Sequence, residues 1–262
     1  MANVTSAAYP ARDLPRVRKI SIADLREALA GGLEDFNALP SHAIFLCVFY
    51  PIVGLFLGGI VLQYNVLPLL FPLVAGFALI GPFAAVGLYE LSRRRELGLD
   101  SSWQHAFDVF RSPAGWSVLG LGVLFMLLLV AWLGVAQWLY TQTFGDTPPA
   151  SVDAFAHAIF TTPAGESLIV WGNLLGFVFA VAALCVGVVS FPLLIDRNVT
   201  IAVAMLTSIR AVLANPVVLA VWGFIVAAAL VAGSLPFLVG LAVVMPVLGH
   251  ASWHLYRRIV EV

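Results

Sequence analysis

Six stretches of this chain run for eighteen residues or more without a charged side chain: about 43–63, 66–89, 114–140, 167–195, 216–233 and 235–256. A helix that crosses the hydrocarbon of a bilayer needs roughly 20 apolar residues. Only helices and closed barrels satisfy their backbone polar groups there. The stretches are continuously apolar and do not alternate, which excludes barrel strands and points to helices. Charged residues make up 10% of the chain and hydrophobic ones 61%. A soluble domain carries about 25% charged residues, so this chain lacks the side chains for a water-facing surface. The expected fold class is all-α: a polytopic membrane bundle of six transmembrane helices.

The basic residues set the orientation. Five lie before the first stretch (Arg12, Arg16, Arg18, Lys19, Arg26), four after the second (Arg93, Arg94, Arg95, Arg111), two after the fourth (Arg197, Arg210) and two at the end (Arg257, Arg258). The three intervening connections, including Thr141–Glu166, have none. Lys and Arg in short loops stay cytoplasmic. Both termini are therefore expected inside the bacterial inner membrane, with residues 141–166 as an external loop and Arg93, Arg94, Arg95, Arg257 and Arg258 as topology-determining residues. Residues 1–19 read as a polar cytoplasmic tail and 20–258 as one membrane domain. The tail has no apolar core with a cleavage site, so no signal peptide is expected. A net charge of −1 gives no reason to expect nucleic acid. Cys47 and Cys185 both sit in apolar stretches, against a disulfide framework or a cysteine metal site.

Each cytoplasmic segment carries a short amphipathic pattern. Ile22, Leu25, Leu29, Leu33 and Phe36 recur at helical spacing, behind Ser21 and Asp24, which resemble a capping box. Trp103, Phe107 and Phe110 share a face after Asp100-Ser101-Ser102. Ala202, Met205, Ile209 and Val212 share another after Thr200. Each pattern stops at a proline: Pro40, Pro113 and Pro216. Proline ends one helix and suits the first turn of the next. Pro82 and Pro246 stand at equal distances before Arg93-Arg94 and Arg257-Arg258, with Tyr89 and Trp253 at matching places between. These features predict three interfacial helices, each followed by a two-span hairpin, as a degenerate threefold repeat. The interfacial helices are read as joints in the headgroup layer. Ser151–Thr161 is expected to form a short external helix.

Residues able to carry chemistry are few. His250 and His254, at i and i+4, share one helix face as two metal ligands would; they are the metal candidates, with His42 and His105 on the same side. Glu90 follows the second span and has arginines at i+3 and i+4 to pair with. Gln137, Asn173 and Ser190 are the polar groups inside spans, where such groups often bond between helices. Gly54 with Gly58, and Gly172 with Gly176, fit small-xxx-small packing faces, and Pro82 and Pro246 are further packing positions. No Ser-His-Asp motif, phosphate loop or dinucleotide fingerprint is present. No cofactor is expected, and no catalytic residue is assigned.

IADLREALAGGLEDFNALPSHAIFLCVFYPIVGLFL, GPFAAVGLYELSRRRELG and IRAVLANPVVLAVWGFIV together resemble the bacterial integral membrane family catalogued as domain of unknown function twenty-one eighty-nine, over roughly Ile20 to Arg258. Some members carry the label cytochrome c oxidase subunit I. The five histidines of this chain are fewer than a haem–copper core uses, so the resemblance implies a membrane fold and no activity. The expected role is a non-enzymatic scaffold, assembly or regulatory component of a membrane complex, with the lipid bilayer and other membrane proteins as partners. A permease or lipid-handling protein, and a haem- or copper-associated respiratory accessory, are the alternatives.

Overall fold

The computed structural model describes residues 14–39, 59, 67–235 and 239–261. The first expected span, with Cys47, Gly54 and Gly58, and also Pro40 and His42, lies outside the described residues, Gly59 apart. Among the described residues regular structure is helical, apart from one isolated antiparallel bridge between Val17 and Val260. The first helix, α1, covers Ile22–Ala38. The second apolar stretch is a broken rod: a 3-10 turn at Leu67–Leu69, then α2 (Leu70–Leu79), α3 (Gly81–Ala84) and α4 (Val86–Glu96). A 3-10 turn at Trp103–Phe107 leads into α5 (Asp108–Arg111) and then α6 (Gly115–Phe144). At the far end stands α7 (Val152–Thr161). The return is α8 (Pro163–Gly187) with α9 (Ser190–Asp196). Three more helices follow: α10 (Ile201–Ala214), α11 (Pro216–Ser234) and α12 (Leu241–Ile259).

Three of these rods are long and apolar enough to cross a membrane: Gly115–Phe144, Pro163–Asp196 and Pro216–Ser234. The first shows how the bundle is solvated. Val118, Leu121, Gly122, Phe125, Leu129, Trp132, Ala136 and Leu139 of α6 are buried, recurring every three or four residues. The opposite face exposes Val123, Leu127 and Val130, and ends in Trp116 (84% exposed) and Trp138 (58% exposed). In water such a face would be an aggregation liability; in hydrocarbon it is at home. Trp116 and Trp138 are 22 positions apart, about 33 Å at the helical rise. That matches a hydrocarbon core of about 30 Å with tryptophan at each interface. Gly145, at φ 79°, ends the rod.

Two rods are interrupted, and the interruptions meet. Pro82 cannot donate to the Ala78 carbonyl and its ring crowds that turn, so the second stretch breaks at Ile80. Pro192 does the same to the α8–α9 junction, where the Val189 N–H turns to Ser208 Oγ at 3.2 Å. A side chain on Gly187 would meet the Phe125 ring at 2.7 Å and Pro82 at 3.4 Å. Phe191 packs on Phe83 (ring centroids 6.0 Å apart) and on Phe125 (5.2 Å). An aromatic core fills the junction.

The short helices bury small and polar residues alongside the expected stripe, from which Leu25, Leu29, Met205 and Val212 join or pack on the core. On α1 the buried residues are Leu25, Ala28, Gly32 and Asp35, while Ile22 and Leu33 of the expected apolar face are exposed. On α10 they are Ala204, Thr207, Ser208 and Ala211, while Leu206 and Leu213 point out. The reason is a membrane one. Lipid solvates a large aliphatic side chain as well as a protein core does, so close helix packing selects small residues instead. At the far end Ser151 caps α7 through the Ala154 N–H at 3.1 Å. Phe155 there packs on Tyr140 and Phe144.

Candidate functional site

At the end of the bundle that carries the basic residues, α1, α4 and α12 converge on a buried polar cluster. Glycine sets the approach. A Cβ on Gly32 would lie 2.6 Å from the Ala251 side chain and backbone and from the Val247 carbonyl, and one on Gly31 would lie 2.9 Å from the His254 ring. With no side chain at either position, α1 runs antiparallel along α12 at close range. One turn further on, the same face delivers Asp35, 2% exposed, between the helices.

The Asp35 carboxylate is fully used. Ser92 Oγ of α4 donates to Oδ2 at 2.5 Å, and His254 Nε2 contacts the same oxygen at 2.9 Å. Arg95 of α4 binds Oδ1. His250 Nδ1 stands 2.8 Å from Ser92 Oγ. Ser92 has one proton, and an ionised Asp35 only accepts. Ser92 therefore donates to Asp35, and His250 donates its Nδ1–H to Ser92. Proton counting thus fixes the tautomer of His250 and makes His254 an Nε2–H donor. Burial pushes the Asp35 carboxyl up, but the hydrogen bonds from His254 and Ser92 and the Arg95 guanidinium outweigh it and hold the pKa at about 2.

Around this centre lies a ring of ion pairs, and the three consecutive arginines part company within it. Arg93 turns back onto Glu90 at 2.7 and 2.8 Å. Arg94 reaches Asp108 of α5 at 3.5 Å and the Asp100 carbonyl at 2.5 Å. Arg95 takes Asp35. Arg257 joins Glu96 of α4 at 2.8 Å to Asp196 of α9 at 3.4 Å, flanked by Trp253 donating to Glu96 and Tyr256 donating to Asp196. Arg258 pairs with Glu27 of α1 at 2.5 Å. Asn215 accepts from the Ile20 N–H at 2.8 Å and donates to the Arg18 carbonyl at 3.0 Å, tying residues 18–20 to the start of α11.

Ser92, His250 and Asp35 are the three side-chain types of a hydrolytic triad, brought together across the chain. Their order is wrong for one. A triad places histidine between serine and aspartate so that it takes the serine proton. Here serine is central, its proton committed to the carboxylate, and Ser92 is buried at 1% exposed. Nor do the imidazoles converge on an open point, because the Ser92 hydroxyl stands between His250 and Asp35. Among the described residues no three His, Cys, Asp or Glu side chains group as a metal centre. The arrangement holds an ionised carboxylate and fixes three helices to one another.

The other sequence candidates lie elsewhere. His105 bonds Asp108 (2.6 Å) and Asp100 (3.1 Å). Gly176 faces the Trp132 ring at 3.2 Å from its would-be Cβ, and Gly172 meets only Leu139 at 3.8 Å. Pro246 is buried inside α12. Asn173 bonds the Ile169 carbonyl of its own helix, and Ser190, at the start of α9, bonds the Val186 carbonyl one turn back in α8. Sequence reading passed over Asp35, Ser92 and Asn215. The signal for Asp35 was there: Ala28, Gly32 and Asp35 share one face, small residues ending in a charge.

A bundle of long apolar helices that expose their large side chains and pair their charges at one end is an integral membrane protein. Residues 70–196, just under half of the chain, match the family described as predicted integral membrane protein (DUF2189), a domain of unknown function. No curated protein and no solved structure matches the chain.

Proposed function

We propose that the chain spans the bacterial inner membrane six times with both termini in the cytoplasm, as three helix-and-hairpin units, and serves as a non-enzymatic scaffold or assembly component of a membrane complex. The observation that supports this reading is the interlocked basic end. Asp35 joins α1 to α4 and α12, Arg257 joins α12 to α4 and α9, and Arg94 joins α4 to α5. Asp35, Arg94 and Arg257 each hold a neighbouring helix in place. A rigid base of that kind suits presentation of fixed surfaces to partner subunits. The experiment is purification from native membranes in mild detergent, with co-purifying proteins quantified by mass spectrometry. A partner at near-equal stoichiometry is expected; a partnerless protein would sink the scaffold reading.

The meeting of two broken rods at Ile80 and Val188 favours a second reading, a permease or lipid-handling protein, because interrupted helices are where transporters build sites. Its signature would be substrate or lipid retained by that partnerless protein. Loss of that retention on Phe191→Ala would place the contents at the junction.

A further inference from the structure

The segment from Asp100 to Arg111 has three sides. Its inner side docks on α4: a Cβ on Gly87 would lie 3.0 Å from the Ala106 side chain, and Val109 is 2% exposed. Its polar side carries Gln104, Asp108 and Arg111. Its third side carries Trp103, Phe107 and Phe110, each between 41% and 45% exposed, with the first two rings edge to face at 6.5 Å. Its position is fixed at the foot of α6, where a Cβ on Gly115 would meet the Phe110 carbonyl at 2.7 Å. Six residues beyond Phe110 comes Trp116, which marks one edge of the hydrocarbon by its spacing from Trp138.

From this we infer that the aromatic side is a shelf inserted into the cytoplasmic leaflet, and that its occupant is lipid at the boundary of headgroup and acyl chain. This rests on the membrane-spanning reading of α6. The argument for lipid over protein is continuity along the chain: the segment ends at the foot of α6, where Gly115 meets the Phe110 carbonyl, and α6 goes on from there with Trp116, Val123 and Leu127 exposed. Tryptophan and phenylalanine next to a polar side suit that zone. The polar side does not resemble an anionic-lipid sensor. Asp100 and Asp108 outnumber Arg111, and both aspartates are engaged by His105, whose pKa is raised chiefly by the bond to Asp108. Insertion is therefore driven by apolar area and is indifferent to lipid charge. Because Arg94 grips Asp108 and the Asp100 carbonyl while Arg95 grips Asp35, the leaflet surface and the buried cluster are joined through adjacent residues of α4.

The test is spin labelling of the full chain in nanodiscs, with Cys47 and Cys185 first replaced by alanine. Labels go at Phe107→Cys, Phe110→Cys, Gln104→Cys and, as a control on the membrane reading, Val123→Cys. Collision with oxygen reports lipid, and collision with a water-soluble nickel chelate reports water. The expected result is severalfold higher oxygen-to-nickel ratios at positions 107 and 110 than at 104. The ratios should be the same in phosphatidylcholine and phosphatidylglycerol discs. Nickel access at 107 and 110 with oxygen access at 123 would overturn the shelf and leave the span intact. Protection from both reagents would assign the face to a protein partner and overturn the lipid assignment. A marked rise in phosphatidylglycerol would overturn charge-independent insertion. Nickel access at 123 would remove the spanning reading and the shelf with it.

Discussion

Asp35 is the residue on which the basic end depends. Removing one member of a buried charged network leaves the others unpaired, at a cost of about 3–5 kcal/mol. Asp35→Ala should therefore lower thermal stability in detergent sharply, while Asp35→Asn, which keeps the shape, should cost less. Equal losses for the two would show that packing and not charge holds the junction. The pH dependence has a definite sign. The carboxyl sits at about 2 in the folded chain against its ordinary 3.8, so its contribution is present above about pH 4 and is lost as pH falls toward 2. That contribution is about 2 kcal/mol, and the Asp35→Asn variant should lack this part of the acid sensitivity. Asn215 is a second such point. Asn215→Ala removes both bonds that hold residues 18–20, and tryptic cleavage at Arg18 and Lys19 should quicken. Unchanged cleavage would mean that the pairing of residues 16–18 with 259–261 suffices.

Among elements, the close approach of α1 to α12 is the interaction most exposed to a single methyl. Gly32→Ala places an atom where Ala251 and its backbone already stand, and overpacking of this kind costs typically about 1–3 kcal/mol. Gly134, with nothing within 4 Å of a would-be Cβ, is the matched control. There alanine relieves the helix penalty of glycine, about 1 kcal/mol. Gly32→Ala should lower the midpoint of thermal unfolding and Gly134→Ala should raise it slightly or leave it alone; if both behave alike, the close approach is not where it stands here. This pair also explains what could and could not be read from sequence. The charge-free runs gave the long helices directly, since only helices satisfy such backbone in lipid, and Ser151 and Thr200 marked helix starts by ordinary capping. On α1 and α10 the stripe marks only part of the buried face: Leu25 is buried and Leu29, Met205 and Val212 pack on the core, while Ile22 and Leu33 face out, because an apolar stripe signals burial only when water is the alternative. The Asp35 cluster was out of reach for a different reason: its members lie 57 and 158 positions apart along the chain, and no local pattern encodes that meeting.

For the whole molecule, all thirteen basic residues lie in segments expected on one side, yet in the folded chain several carry little free charge. Arg93, Arg95, Arg257 and Arg258 are each within salt-bridge reach of a carboxylate. The two facts agree, because orientation depends on Lys and Arg during insertion and acidic residues contribute little to it, whereas the pairs need α1, α4 and α12 already in place. On the proposed topology, charge orients the segments during insertion, and the pairs form only where those helices meet. Cysteine accessibility in intact cells tests the first half. With Cys47 and Cys185 replaced, Asp146→Cys, in the exposed turn beyond α6, should react with a membrane-impermeant maleimide. Arg111→Cys, at a residue 85% exposed by side chain, should react only once the membrane is opened. Labelling of position 111 but not 146 in intact cells would invert the topology, and the basic residues would then need another explanation.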